Sequence, residues 1–210
     1  MQFLNCQIDL SRWNFRPRAE TESWVKKALK KISFQKEAKL LNMLDIFAGS
    51  GCIGIAVLKN IKNSFCDFAD IDERAVGQIK INLKLNKISQ NRYKIYQSDL
   101  FKKIKNKKYD YIFANPPYVA TERINEVQPS VLKSEPKKAL FAGRKGLIVI
   151  KKFLTEAKNH LKKNSVIYME FDALQKRDIE NLLKKEGYKN YCFFKDQFGK
   201  YRWLMVYLNK

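Results

Sequence analysis

Leu41-Asn42-Met43-Leu44-Asp45-Ile46-Phe47-Ala48-Gly49-Ser50-Gly51 passes from an apolar run into a cluster of small residues. Residues 41 to 48 read as a buried strand, because a short continuous apolar run bounded by a turn signal suits a strand covered on both faces. The small residues that follow let the backbone turn sharply and approach a ligand closely. Cys52 to Lys59 reads as the next helix. Gly49, Gly51 and Gly54 complete a GxGxxG match across this junction. That pattern fits a nicotinamide dinucleotide site as well as a nucleoside site.

The same alternation continues outward. Phe65 to Ile71 reads as a strand, Glu73 to Leu85 as an amphipathic helix, and Tyr93 to Gln97 and Tyr109 to Ala114 as two further strands. After a long loop come a helix from Leu147 to Leu161, a strand from Val166 to Phe171 and a helix from Gln175 to Glu186. Tyr188 to Leu208 reads as two strands joined near Gln197-Phe198-Gly199, and residues 21 to 32 read as a helix ahead of the first strand. Seven strands alternating with helices predict an α/β fold, with a mostly parallel sheet and an antiparallel C-terminal hairpin. Repeats, low-complexity tracts and Gly/Ser linkers are absent from the sequence, so one main unit is expected over 39–210, with 1–38 packing on it as an N-terminal segment.

In such a sheet, ligands bind beyond the carboxyl ends of the strands, where the winding direction reverses. Asp70 closes the second strand of the sheet 19 positions after Gly51, near the spacing of about 20 expected for an acid that binds ribose hydroxyls. Asp72 is a rival, but it is also placed to cap the helix from residue 73. The third strand ends in Gln97-Ser98-Asp99-Leu100-Phe101. Here Asp99 can accept a hydrogen bond from an adenine amino group while Leu100 covers the ring, or Asp99 can simply serve a turn.

Asn115-Pro116-Pro117-Tyr118 closes the fourth strand. Each proline fixes its own φ, lacks an N–H and holds the residue before it extended. A planar NH2 group entering this corner would give one hydrogen to the Asn115 side-chain oxygen and the other to the Pro116 carbonyl, with the Tyr118 ring against its face. An amide or an exocyclic amine suits it. Asn115, Pro116, Pro117 and Tyr118 are therefore the candidate catalytic residues.

The 210 residues carry 45% hydrophobic side chains and a net charge of +21. No apolar stretch approaches the roughly 20 residues needed to span a bilayer, and the first residues lack a basic segment followed by an apolar one. A cytoplasmic protein is expected. Cys6, Cys52, Cys66 and Cys192 show no CxxC spacing and His160 is the one histidine, so reduced thiols and no metal are expected. The positive charge fits nucleic-acid binding, and it fits equally a lysine- and asparagine-rich composition spread over solvated helix faces.

Taken together these residues resemble the class I methyltransferases that use S-adenosylmethionine, and within them the release factor glutamine methyltransferases of the PrmC/HemK family. The similarity runs from about residue 14 to the C-terminus. It is carried by Arg16-Pro17-Arg18-Ala19-Glu20-Thr21-Glu22, Asp45 to Gly54, Asp70-Ile71, Ser98 to Phe101, Asn115 to Tyr118, Glu135-Pro136 with Ala139-Leu140, Gly143, Gly146-Leu147, and Glu170 with Gln175. Ala19 stands where the family usually has proline, and Phe171 where a glycine usually follows the glutamate.

The resemblance implies a Rossmann-like class I methyltransferase fold with S-adenosylmethionine as cofactor. Asp45, Phe47, Ala48, Gly49, Ser50 and Gly51 would surround its methionine end, Asp70 its ribose, and Asp99 and Leu100 its adenine. Asn115 would meet both the cofactor and the substrate amide. The implied substrate is the glutamine of the Gly-Gly-Gln loop in peptide chain release factors. Typical bacterial members carry an N-terminal helical domain that helps bind the release factor, and residues 1 to 14 leave no room for one. A ribosomal-protein glutamine, an amino group of adenine or guanine in nucleic acid, and a nicotinamide oxidoreductase remain the alternatives.

Overall fold

The computed structural model describes residues 1–34 and 39–208, so the segment edge expected at residue 38 lies outside the described residues. A short antiparallel pair, β1 (Gln2–Phe3) and β2 (Cys6–Gln7), opens the chain. Leu4 and Asn5 join them with φ of 44° and 64°, the paired positive values a two-residue hairpin needs. Next come α1 (Ala19–Phe34), β3 (Leu41–Ile46), α2 (Cys52–Asn60), β4 (Ser64–Asp70), α3 (Glu73–Leu85), β5 (Tyr93–Gln97) and β6 (Tyr109–Ala114). Two short helices, α4 (Pro129–Ser134) and α5 (Lys137–Leu140), lie in the long loop. The chain finishes with α6 (Ile148–Ala157), β7 (Leu161–Glu170), α7 (Lys176–Lys185), β8 (Asn190–Lys195) and β9 (Tyr201–Leu208).

The seven-stranded sheet has the order β5-β4-β3-β6-β7-β9-β8. Every pair from β5 to β7 is parallel, and β9 runs antiparallel to both β7 and β8. The winding reverses between β3 and β6, which opens a crevice at their carboxyl ends.

Alternation along the strands divides the core in two. Met43, Cys66, Phe113, Tyr168 and Met205 face α1, α2 and α3, whereas Leu44, Ile112, Ile167, Met169 and Leu204 face α6 and α7. Trp24, Val25, Ala28, Leu29 and Ile32 form one buried stripe of α1 against the first face. Burying each large side chain of that stripe contributes about 1.5–3 kcal/mol. Helix α2 is buried from Cys52 to Leu58. It lies so close to β4 that a Cβ at Gly54 would sit 2.4 Å from the Phe68 ring.

Three of the shifts in expected boundaries have a visible cause. The first large strand stops at Ile46, because Phe47 takes a φ of 62° and leaves the ladder. The helix expected to reach Leu161 ends at Ala157, followed by a tight turn over Lys158–His160. Strand β7 then starts five residues earlier than expected, because Leu161 already pairs with Tyr109. The polar stretch Lys162-Lys163-Asn164-Ser165 hides that start from apolar pattern reading.

Candidate active site

The turn after β3 is shaped by three positive φ values, at Phe47, Gly49 and Gly51 (62°, 55° and 78°). It is pinned from both sides. Ala48 N donates to Ala69 O, and Gly49 N donates to Asp70 Oδ2 at 2.8 Å. The other Asp70 oxygen accepts from Asp72 N at 3.0 Å. Burial pushes the Asp70 carboxyl above its ordinary value, against the pull of these backbone donors. Asp72 is the cap of α3, its Oδ1 accepting from Arg74 N at 2.9 Å, so the two rival carboxylates have separate tasks. Asp45 lies below the turn. Its Oδ2 accepts from Gly54 N at 2.8 Å, its Oδ1 has no partner among the described residues, and burial pushes this carboxyl well up.

A cavity of about 400 Å³ opens between the ends of β3, β4 and β6. Phe47, Gly49, Asp70, Asp99, Leu100, Asn115 and Pro117 line it, drawn from four separate chain segments. Asp45, Ala48, Ser50, Gly51, Pro116 and Tyr118 are not among the residues that line it. The wall also includes Trp13, Phe15, Lys138, Ile148 and Lys152, which pattern reading did not single out. The polar context of Ser11-Arg12-Trp13-Asn14 offered one signal, a large ring with no periodic apolar neighbours to pack against.

Asp99 sits differently from its neighbours. It accepts from Lys102 Nζ at 2.6 Å and from Lys152 Nζ at 2.9 Å, and the Lys102 bond leads in holding its carboxyl below the ordinary range. An incoming amino group would share this carboxylate with two ammonium groups. Leu100 beside it is buried with a φ of 50°, a strained value for a leucine that keeps its side chain on the cavity wall.

At the end of β6, Asn115 reaches the cavity half-exposed. Neither its side chain nor the Pro116 carbonyl has a hydrogen-bond partner among the described residues. Tyr118 points its hydroxyl the other way, donating to Glu170 Oε1 at 3.1 Å. Burial and the Glu170 charge push that hydroxyl well up, so Tyr118 stays a neutral donor. Glu170 also accepts from Thr21 Oγ1 at 2.7 Å and Trp24 Nε1 at 2.6 Å. Gln175 Nε2 donates to the carbonyls of Tyr118, Lys145 and Gly146. Arg18 pairs with the mostly buried Glu135 at 2.7 Å. The bonds to the Tyr118 hydroxyl and carbonyl thus brace the chain directly after the two prolines.

The methyltransferase small domain family matches residues 29–167. The release factor glutamine methyltransferase of Thermodesulfovibrio yellowstonii is 32% identical over 202 residues, covering 94% of this chain and 70% of that protein. Its counterpart in Lactococcus lactis is 34% identical over 206 residues, covering 98% and 73%. This chain belongs to the release factor glutamine methyltransferase family. Its fold is also that of the human Mettl16 catalytic domain solved with an RNA hairpin (TM-score 0.72, 15% identity, 99% of this chain and 76% of that one). SMU.776, solved in complex with S-adenosylhomocysteine, shares the fold as well (TM-score 0.62, 12% identity, 91% and 50%).

Membership of a methyltransferase family implies use of S-adenosylmethionine, and the cavity suits that molecule. An apolar slot is bounded by the Asp70 carboxylate, a turn whose glycines leave room at the backbone, and a buried donor without a partner, Trp13 Nε1. Among the described residues no helix is long and apolar enough to cross a membrane. No cluster of three or more His, Cys, Asp or Glu is arranged to hold a metal ion among them, and the four cysteines are free.

Proposed function

We propose that this chain methylates the side-chain amide of the glutamine in the Gly-Gly-Gln loop of a peptide chain release factor, with S-adenosylmethionine as methyl donor. The observation that carries this reading is the pair of unengaged acceptors, Asn115 Oδ1 and the Pro116 carbonyl, on a proline-stiffened strand end beside the cavity. The family's relatives, named as release factor glutamine methyltransferases, supply the substrate class. The proposal places the enzyme in the cytoplasm, where translation ends.

When bound, the cofactor supplies a methyl group activated by a sulfonium. Asp70 would hold its ribose hydroxyls, Leu100 would cover its adenine, and Phe47 and Gly49 would border its amino-acid end. An amide nitrogen is a weak nucleophile because its lone pair is delocalised into the carbonyl. Asn115 Oδ1 and the Pro116 carbonyl would accept its two hydrogens and favour a more tetrahedral nitrogen with its lone pair facing the cavity. No strong base is needed there. After transfer the nitrogen is cationic and acidic, and it releases its proton to solvent. The brace through Tyr118, Glu170 and Gln175 keeps the acceptors still.

The test offers labelled S-adenosylmethionine to the enzyme with a release factor, with the same factor carrying alanine for its loop glutamine, and with ribosomal RNA. Label on the intact factor alone is the expected result. Label on RNA or on the alanine variant would move the substrate elsewhere.

A further inference from the structure

Trp13 is 3% exposed, yet its indole N–H has no partner among the described residues. A buried N–H left without an acceptor is costly, so a ligand that supplies one is the natural explanation. The ring belongs to the cavity wall, and its Nε1 lies 3.3 Å from the place a Cβ would take at Gly49. Only a glycine leaves that flank open.

The segment that carries the ring is fixed firmly. Gln78 Oε1 accepts from Arg12 N at 2.7 Å and Trp13 N at 3.1 Å, and the Gln78 Nε2 donates to Asp9. Asn82 clamps Asp9 at both its N and O and also donates to Ser50 O at 2.9 Å, tying the strap to the glycine turn itself. Arg74 lays its guanidinium over the indole, 5.3 Å from the ring centre. That guanidinium is paired with the Asp72 carboxylate at 3.2 Å, so the indole N–H is the donor left beside the glycine turn for a ligand acceptor.

We infer that the Trp13 N–H binds the carboxylate of the cofactor's amino-acid tail, so that the strap 8–15 is part of the methyl-donor site. This rests on the reading of the cavity as the S-adenosylmethionine site. Of the groups on that molecule, the ribose hydroxyls fall to Asp70 and the adenine to the Leu100 side, which leaves the tail carboxylate for a donor at Gly49. Trp13 is a specificity residue for the zwitterionic end.

The experiment is calorimetric titration of the wild type and of Trp13→Phe with S-adenosylhomocysteine and with 5′-methylthioadenosine, which lacks the amino and carboxylate groups. The phenyl ring retains packing and removes the N–H. Trp13→Phe is expected to weaken S-adenosylhomocysteine by about tenfold or more, the scale of a hydrogen bond to a charged group, and to leave 5′-methylthioadenosine within about twofold. Equal weakening of both ligands would make the ring mere packing and overturn the inference, as would no weakening of either. Wild type that fails to bind S-adenosylhomocysteine would overturn the cavity reading as well. A second readout guards against a folding defect. Trp24 and Trp203 are core residues at 1% and 2% exposure, so a ligand-induced change in tryptophan emission should be present in wild type and lost in Trp13→Phe.

Discussion

At the ends of β3 and β4 the functional groups are aimed by near neighbours: Gly49 N donates to Asp70 across 21 residues, and Asp72 N donates to it across two. At the ends of β6 and β7 the partners come from far away. Thr21 meets Glu170 across 149 residues, and Gln175 meets the Tyr118 carbonyl across 57. Apart from the strap that carries Trp13, one half of the site is backbone folded on itself; the other is a corner propped by side chains. A local turn survives distant changes, whereas a propped corner is exposed to every prop. Cofactor binding and methyl transfer should therefore separate under mutation.

The largest separation is expected at Asn115. Asn115→Ala removes one of the two acceptors while leaving the turn at Phe47 to Gly51 intact. Methyl transfer to the release factor should fall by about a thousandfold, the upper range for loss of a single positioned hydrogen-bonding group. Calorimetry should find S-adenosylhomocysteine bound within about threefold of wild type. If affinity collapsed together with rate, the end of β6 would belong to the cofactor half and the division would be wrong.

Gly146→Ala strikes a prop instead. Gly146 has a φ of 65°, and a Cβ there would lie 1.9 Å from the Tyr118 carbonyl. Neither backbone can move without releasing the Gln175 side chain that binds both. Such overpacking with backbone strain costs about 3 kcal/mol, or about 6–12 °C in melting temperature for a chain of this size. The surviving folded enzyme should lose turnover more than cofactor affinity. A melting curve that matched wild type would show that the corner relaxes without its brace.

The third test sharpens the cofactor half through pH. In the proposed site Asp70 accepts ribose hydroxyls best as a carboxylate, and burial raises its carboxyl above the usual range. Ligand binding favours the charged form, so affinity for S-adenosylhomocysteine should fall as pH drops through the raised value and stay flat above it. Asp70→Asn should bind about tenfold more weakly at neutral pH and lose the acid-side dependence. A wild-type affinity that does not weaken toward acid would leave Asp70 to its backbone donors alone.

The same contrast governs what could be read without coordinates. Strand β6 and helix α3 fall where apolar periodicity put them, because one period holds from end to end. The turn at 47–51 and Asp70 were visible because spacing along the chain encodes their geometry. Glu135, Glu170 and Gln175 drew notice through family resemblance alone, since no local pattern tells that Glu170 will gather Thr21, Trp24 and Tyr118. Trp13 escaped both routes. Its position depends on Gln78, 65 residues downstream, on Asn82, which holds Asp9 across 73, and on a small hairpin whose two-residue strands are too short to show alternation.

The smallest expected effect lies at Asp99, where the two halves touch. Its carboxylate is shared by Lys102 and Lys152, with side chains 66% and 42% exposed against 32% for Asp99, so each pair is worth at most about 1 kcal/mol. Lys152→Met should leave the melting temperature within about 2 °C, because solvent already screens the pair it breaks. It also frees an acceptor position on each Asp99 oxygen at the cavity wall. If that carboxylate accepts from the adenine amino group, S-adenosylhomocysteine should bind about twofold more tightly, and the inosine analogue, which has no amino group, should gain nothing. Equal gains for both would mean that Lys152 acts through bulk or charge at the rim, and that the far wall recognises the base by the Leu100 surface alone.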